Sequence, residues 1–383
     1  MRVERAELRV VELPLVFPFE TSFGREETKT CVLVRLFADG LEGWGEAPAG
    51  AAPLYNEETV GTAWHVLETF ILPLVLGRNL AHPSEFPPLV HHLRRHHMAK
   101  AAVEAALWDL YAQARRISLA TALGGTRERV EVGVSLGIEG EVDGLLRRIE
   151  EFLNRGYRRI KVKIKPGWDV AVVQAIRRTF GKIRLQVDAN SAYTLDQASV
   201  LRDLDGYDLL LIEQPLGEDD IVDHARLQAQ LRTPLCLDES IVSPDDARKA
   251  LQIGACRIIN IKAARLGGLS AGVATHDLCR RAGAPVWCGG LLETGIGRAA
   301  NIALASLPNF ILPADLSASD RYFHEDVIDP PVTLNPDGTI SVPGDPGLGF
   351  PVRVDRVDRH TIRKASFTAD GAASDTGRTG RPA

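Results

Sequence analysis

From Arg2 to about Pro48 the chain alternates apolar and polar positions with a period of two. ELRVVELPLVF, TKTCVLVRLFA and LEGWGEA carry the pattern, and Ala38-Asp39-Gly40 marks a turn. These signals predict an antiparallel meander. From Glu57 to about Arg116 the period becomes helical; AKAAVEAALWDLYAQA places Ala101, Ala105, Trp108 and Ala112 near one face. A small α+β unit over residues 1–125 follows.

Beyond it the texture changes. VEVGVSLG, RIKVKIK, IRLQVDAN, DLLLIEQP, PLCLDES, ACRIINIKA, APVWCGG and NFILPAD are eight short apolar runs, each followed by a helix-like stretch. Apolar strands alternating with helices predict a parallel sheet covered on both faces. Eight of them predict closure into a (β/α)₈ barrel over residues 126–320. Residues 321–363, with Asp-Gly and Pro-Gly turns, are expected to pack back on the capping unit. Residues 364–383, rich in small and polar types, read as a disordered tail.

The polar residues ending these runs recur at a fixed interval. Lys163, Asp188, Glu213 and Asp238 are 25 residues apart, and Lys262 follows 24 residues later. That is about one strand–helix unit of a barrel, so the side chains return to the same, C-terminal rim. Three carboxylates forced together repel unless a cation lies among them. Hard oxygen donors without histidine select Mg²⁺, with Mn²⁺ a substitute, held by Asp188, Glu213 and Asp238. A single Asp at such a place is commonly a helix cap or a surface ion pair. Three at equal spacing after apolar strands argue against that.

Lys161 and Lys163 lie two apart and share a face, with Lys165 next in line. Neighbouring ammonium groups lower each other's pKa, which makes one a usable base. Lysine on a strand is more often a solvated edge residue, but Ile160, Val162 and Ile164 do not suit an exposed edge. Lys262 faces the metal from the far side of the ring. A metal-bound carboxylate between two lysines suits α-proton abstraction with stabilisation of the enediolate. Inversion of a stereocentre, or elimination of a β-leaving group, follows from it.

At these residues the sequence resembles the enolase superfamily, in its muconate-lactonising subgroup. The motifs are Lys161-Val162-Lys163, Asp188-Ala189-Asn190, Glu213-Gln214-Pro215, Asp238-Glu239-Ser240 and Asn260-Ile261-Lys262. Within it, Lys163-Ile164-Lys165-Pro166-Gly167-Trp168-Asp169, the run Gln186–Thr194 and the run Gly289–Ala299 look like the o-succinylbenzoate synthase/N-acylamino acid racemase family. The resemblance implies Lys163 and Lys262 as the acid/base pair and Mg²⁺ on the three carboxylates. It further implies dehydration of 2-succinyl-6-hydroxy-2,4-cyclohexadiene-1-carboxylate on the menaquinone route, racemisation of N-succinyl or N-acyl amino acids, or both. In the dehydration Lys262 would stand as a cation against the developing ring. Arg265 resembles an arginine of the branch that includes racemases. Leu291 and Ala300 depart from the Met and His of relatives. Ser135, Asn190, Arg265 and Glu293 are expected around the substrate. Phe17–Gly24 and Ala49–Tyr55 are expected to close the barrel mouth against water.

Other signals carry less. Gly295-Ile296-Gly297-Arg298-Ala299-Ala300 fits a dinucleotide fingerprint but opens no βαβ unit, though a helix N-terminus there could take a substrate carboxylate. His91, His92, His96 and His97 flank Arg94 and Arg95 and read as a solvated helix face. The seventh run ends Val286-Trp287-Cys288-Gly289, without the His of a mandelate-racemase type. Leu312-Pro313-Ala314-Asp315-Leu316 has one Asp where a dipeptide epimerase would show Asp-x-Asp. A muconate-type cycloisomerase is a further alternative. A non-catalytic barrel binding protein would not need both lysines.

Composition narrows partners. With 45% hydrophobic and 25% charged residues and a net charge of −5, the chain lacks the basic balance of a nucleic-acid or membrane-surface binder. No stretch approaches the roughly 18 to 20 apolar residues of a membrane span. The N-terminus lacks a signal-like apolar block. Five scattered cysteines without a C-x-x-C pair read as reduced thiols in the cytoplasm. The expected ligand is a small carboxylate, and a symmetric homo-oligomer is the expected assembly.

Overall fold

The first alternating stretches pair as their pattern demands. In the computed structural model, which describes residues 1–369 and the backbone of Ser374–Asp375, β1 (Val3–Glu20), β2 (Arg25–Ala38) and β3 (Leu41–Ala47) form an antiparallel meander. Asp39 and Gly40 make the β2–β3 turn with φ of 52° and 77°. The helix His97–Arg115 lies across this sheet and contacts the barrel with its other side, so residues 98–110 are all buried. Gly43 and Gly45 permit the approach. A β-carbon on them would stand 2.2 Å from the Ala106 carbonyl oxygen and 1.9 Å from that of Ala102.

After the short strand β4 (Arg129–Glu131), seven parallel strands follow. They are β5 (Val134–Leu136), β6 (Arg159–Lys163), β7 (Arg184–Asp188), β8 (Ile212–Glu213), β9 (Leu235–Leu237), β10 (Ile258–Ile261) and β11 (Val286–Cys288), neighbours in sequence order. All five residues of β6 are buried, as a strand covered on both faces requires. The eighth run is a correction to the expectation of eight strands. NFILPAD forms no regular strand and bridges its neighbours at single points, Phe310 to Val286 and Ala314 to Val132. Pro313 has no N–H for a ladder, and the two amides that follow it do what pairing remains. Asp315 N donates to Cys288 O at 2.9 Å, and Ala314 N to Glu131 O at 2.9 Å.

The C-terminal part runs along the barrel first, where β12 (Thr339–Ser341) pairs with β4. It then reaches the cap. β13 (Thr361–Thr368) pairs antiparallel with β1 from Val11 to Arg5. The expected tail therefore starts too early: Lys364–Thr368 belong to β13, and Ser374–Asp375 pair with it. The cause is local. Ala365 and Phe367 alternate into the cap core, a signal outweighed in the sequence by the small polar residues that follow. Residues 370–373 and 376–383 of that expectation lie outside the described residues. Among the described residues no helix is long and apolar enough to cross a membrane. All five cysteines are buried and unpaired.

Candidate active site

The strand register assembles the site. Lys163 pairs with Asp188 across β6–β7, and Asp188 pairs with Glu213 across β7–β8. Asp238 follows β9 by one residue, and Lys262 follows β10 by one. Three carboxylates thus end three adjacent strands, with a lysine strand on either flank. All five side chains are buried, the carboxylates at 0–1% exposure.

Charge is matched closely there. Lys163 Nζ donates to Asp188 Oδ2 at 2.6 Å and to Asn190 Oδ1 at 2.5 Å. Lys161 reaches Asp315 at 2.5 Å, Glu213 at 3.0 Å and Asp188 at 3.1 Å. Lys262 donates to Asp238 at 2.7 Å. Arg265 also pairs with Asp238, and its other nitrogens donate to Ile241 O at 2.7 Å and Asn260 O at 2.6 Å. Backbone strain collects beside the carboxylates: Asn190, Ser191 and Gln214 have φ of 41°, 63° and 35°. Such conformations cost on the order of 1–3 kcal/mol each and cluster where function demands them.

The ammonium groups differ in character. Burial lowers the Lys163 pKa, opposed by Asp188 and helped by Lys161. For Lys161 burial acts in the same direction, but Asp315, Glu213 and Asp188 outweigh it and the pKa rises. The mutual lowering expected of the pair thus operates on Lys163 and is overridden at Lys161. Burial also acts on Lys262, where Tyr55, Glu239, Glu213 and Asp188 outweigh it and raise the pKa. Burial, followed by Asp188, pushes the Glu213 carboxyl up to about 7.

Among the described residues no three His, Cys, Asp or Glu side chains are already gathered as a metal cage. The carboxylates instead turn to lysine and arginine. The donor set still fits a hard cation. Asp188, Glu213 and Asp238 offer oxygen alone from adjacent strand ends, the donor type a hard cation takes. Beside them the buried Glu239 Oε2 has no hydrogen-bond partner.

The cap closes over this rim. The β1–β2 hairpin tip donates from Ser22 Oγ to Asn190 O at 2.9 Å, and Ile138 N donates to Glu20 O at 2.9 Å. Phe19, Phe23, Gly50 and Leu54 from the two expected loops join Lys161, Lys163, Lys262 and Ser135 around a cavity of about 110 Å³. A larger cleft of about 1340 Å³, lined by Tyr55, Asn190, Glu239 and Arg265, opens outward past Arg94, Arg95 and His97.

The sequence-predicted substrate contacts divide. Ser135 lines the inner cavity, and its buried hydroxyl has no partner. Asn190 lines both spaces. Its amide bridges Lys163 to Glu239 Oε1, the latter at 2.8 Å. Arg265 meets the outer cleft. Glu293 lies outside the lysine cavity: its carboxylate takes Leu291 N at 2.7 Å and Asn301 Nδ2 at 3.0 Å, which fixes the loop after β11. The helix N-terminus at Gly295 is also spoken for. Glu46 accepts from Thr294 N, Thr294 Oγ1 and Gly297 N, leaving no room for a substrate carboxylate.

Sequence reasoning missed three residues. Tyr55 donates to Asp238 Oδ1 at 3.1 Å and accepts from Lys262 at 3.2 Å, a link from cap to barrel that no spacing signals. Glu239 stands next to Asp238 and was visible only as a motif member. Asp315 serves as the partner of Lys161, at 2.5 Å, and of Arg159, at 2.6 Å.

Comparison with known proteins agrees with this arrangement. Residues 144–356 match the enolase C-terminal domain-like family. Residues 5–124 match the mandelate racemase/muconate lactonizing enzyme N-terminal domain. The chain belongs to the enolase superfamily. It is 53% identical to an o-succinylbenzoate synthase of Geobacillus kaustophilus, over 94% of this chain and 96% of the relative. It is 49% identical to an N-succinylamino acid racemase of Thermus thermophilus, over 96% and 100%. The crystal structure of an enolase-superfamily member from Listeria innocua superposes with a TM-score of 0.93 at 42% identity, covering 96% of this chain and 100% of that one. Fold, site and relatives make this chain an enzyme. Members of its superfamily generally use Mg²⁺.

Proposed function

We propose that this enzyme removes the α-proton of a small carboxylate. Its reactions are dehydration of 2-succinyl-6-hydroxy-2,4-cyclohexadiene-1-carboxylate to 2-succinylbenzoate and racemisation of N-succinyl or other N-acyl amino acids. One observation carries the reading: Lys163 and Lys262 flank three adjacent carboxylates and line one cavity. The names of the relatives support the same pair of reactions.

Asp188, Glu213 and Asp238 would hold Mg²⁺, and Mn²⁺ would substitute. When bound, the ion withdraws charge from the substrate carboxylate as the α-carbon loses its proton. Lys163, whose pKa burial lowers, accepts that proton. Lys262, whose pKa is raised, is protonated at rest and returns a proton on the opposite face in racemisation. In dehydration it stands as a cation against the ring. Lys161, held protonated by three carboxylates, contributes fixed charge. Phe19, Phe23 and Leu54 exclude water.

The geometry also weighs against the dipeptide epimerase. Asp315 is already committed to Arg159 and Lys161, so it does not await a substrate ammonium group.

The test is α-proton exchange in D₂O, followed by NMR, with each enantiomer of N-succinyl-phenylglycine and added Mg²⁺. We expect exchange from both enantiomers, its loss with EDTA and its return with Mg²⁺ or Mn²⁺. Absence of exchange together with absence of dehydratase activity would contradict the reading.

A further inference from the structure

Four ammonium groups line the inner cavity. Three are matched: Lys161, Lys163 and Lys262 each pair with carboxylates at the strand ends. The fourth, Lys29, comes from β2 of the cap and is different. It is 3% exposed, and its Nζ donates to one acceptor, the Pro48 carbonyl oxygen, at 2.8 Å. It forms no ion pair among the described residues. The acidic groups near it are engaged elsewhere or remain out of reach. Glu46 accepts from Thr294 and Gly297, Glu58 accepts from Met98 N at 2.7 Å and Ala99 N at 3.1 Å, and Glu26 makes no ion pair with it.

Glu46 lies near enough to feel the Lys29 charge but makes no ion pair with it. A buried ammonium group with two unused donors and no carboxylate in contact is unfavourable unless something else meets it. The cavity it lines can deliver such a group. Its position adds direction. The carboxylates that would hold the cation belong to the barrel rim, whereas Lys29 belongs to the cap. A molecule bridging the two would present one carboxylate to the rim and a second group to Lys29.

Resting on the proton-abstraction reading above, we propose that Lys29 binds the distal carboxylate of a dicarboxylate substrate and sets the preference for N-succinyl over uncharged N-acyl chains. Lys29 touches no reacting atom in this scheme. It is a specificity residue, and the succinyl chain reaches it with its far oxygens.

The test uses wild-type holoenzyme first. Affinity by calorimetry is compared for N-succinyl-phenylglycine and for its N-succinamoyl analogue, in which the terminal carboxylate is an amide of the same shape. A hydrogen-bonded charge at a buried ammonium group predicts tighter binding of the acid by about tenfold to about a hundredfold. Equal affinity overturns the proposal whatever any variant does. Next, the ratio of kcat/KM for the N-succinyl over the N-acetyl substrate is measured in Lys29→Met and Lys29→Arg. The ratio should fall by about tenfold or more in Lys29→Met and be kept in Lys29→Arg. An unchanged ratio in Lys29→Met would make Lys29 a prop for the Pro48 turn and overturn the proposal. The two readings fail separately. Without α-proton exchange in the wild type the function falls, while the calorimetric comparison still decides the role of Lys29.

Discussion

Tyr55 shows what single residues do in this site. Its hydroxyl lies 3.1 Å from Asp238 and 3.2 Å from both Lys262 and Arg265, so one cap residue touches a carboxylate and the cations that answer it. Tyr55→Phe removes one of the two acceptors of Lys262, leaving Asp238, and does not touch the Lys163 side. Exchange of the enantiomer served by Lys262 should slow about tenfold relative to the other, as NMR with separate enantiomers would show. Equal slowing would place the tyrosine in closure of the loop alone. Residues such as Lys163, Asp188, Glu213, Asp238 and Lys262 were legible in the sequence because one repeat of the fold separates each from the next. Tyr55, Lys29 and Glu46 were not, because cap residues reach the site through tertiary packing that leaves no period in the chain.

At the scale of elements, close approach decides the cap. The helix His97–Arg115 rests on β3 through Gly43 and Gly45, and the carbonyl oxygens of Ala102 and Ala106 occupy the space where β-carbons would stand. Gly45→Ala must push the helix away. The expected loss is about 1–3 kcal/mol, readable as a lower urea midpoint. An unchanged midpoint would mean that the helix–sheet contact is slack. The meander and this helix could be read from their periods. The eighth barrel strand could not be read correctly, since apolar Phe310, Ile311 and Leu312 conceal that Pro313 denies the ladder a donor. Nor could β13, whose two buried residues are followed by a long polar stretch.

For the whole molecule, buried carboxylates link cap and barrel to pH. Glu104 on the central helix accepts from Ser270 N at 3.2 Å, and burial pushes its carboxyl up to about 7. A folded pKa raised above the unfolded value favours the folded state most below the unfolded pKa, and that contribution is lost as pH rises through about 7. Lowered histidines such as His97, at about 4 through burial, act in the opposite direction as pH falls below their unfolded value. A variant comparison isolates the carboxylate. Glu104→Gln should gain about 2 kcal/mol relative to wild type between pH 5.5 and pH 8, by urea unfolding at each pH. A constant difference would show that Glu104 does not titrate in that window.

In the proposed reaction two lysines act on opposite faces of one substrate carbon. The measurement that reaches it most directly is enantiomer-resolved α-proton exchange in Lys163→Ala and in Lys262→Ala, each shown to be folded by circular dichroism. Racemisation should fall by about a hundredfold or more in both, the scale of a lost general acid or base. Residual exchange should survive for one enantiomer in one variant and for the other enantiomer in the second. Full racemisation in either variant, or retention of the same enantiomer's exchange in both, would contradict the two-lysine account.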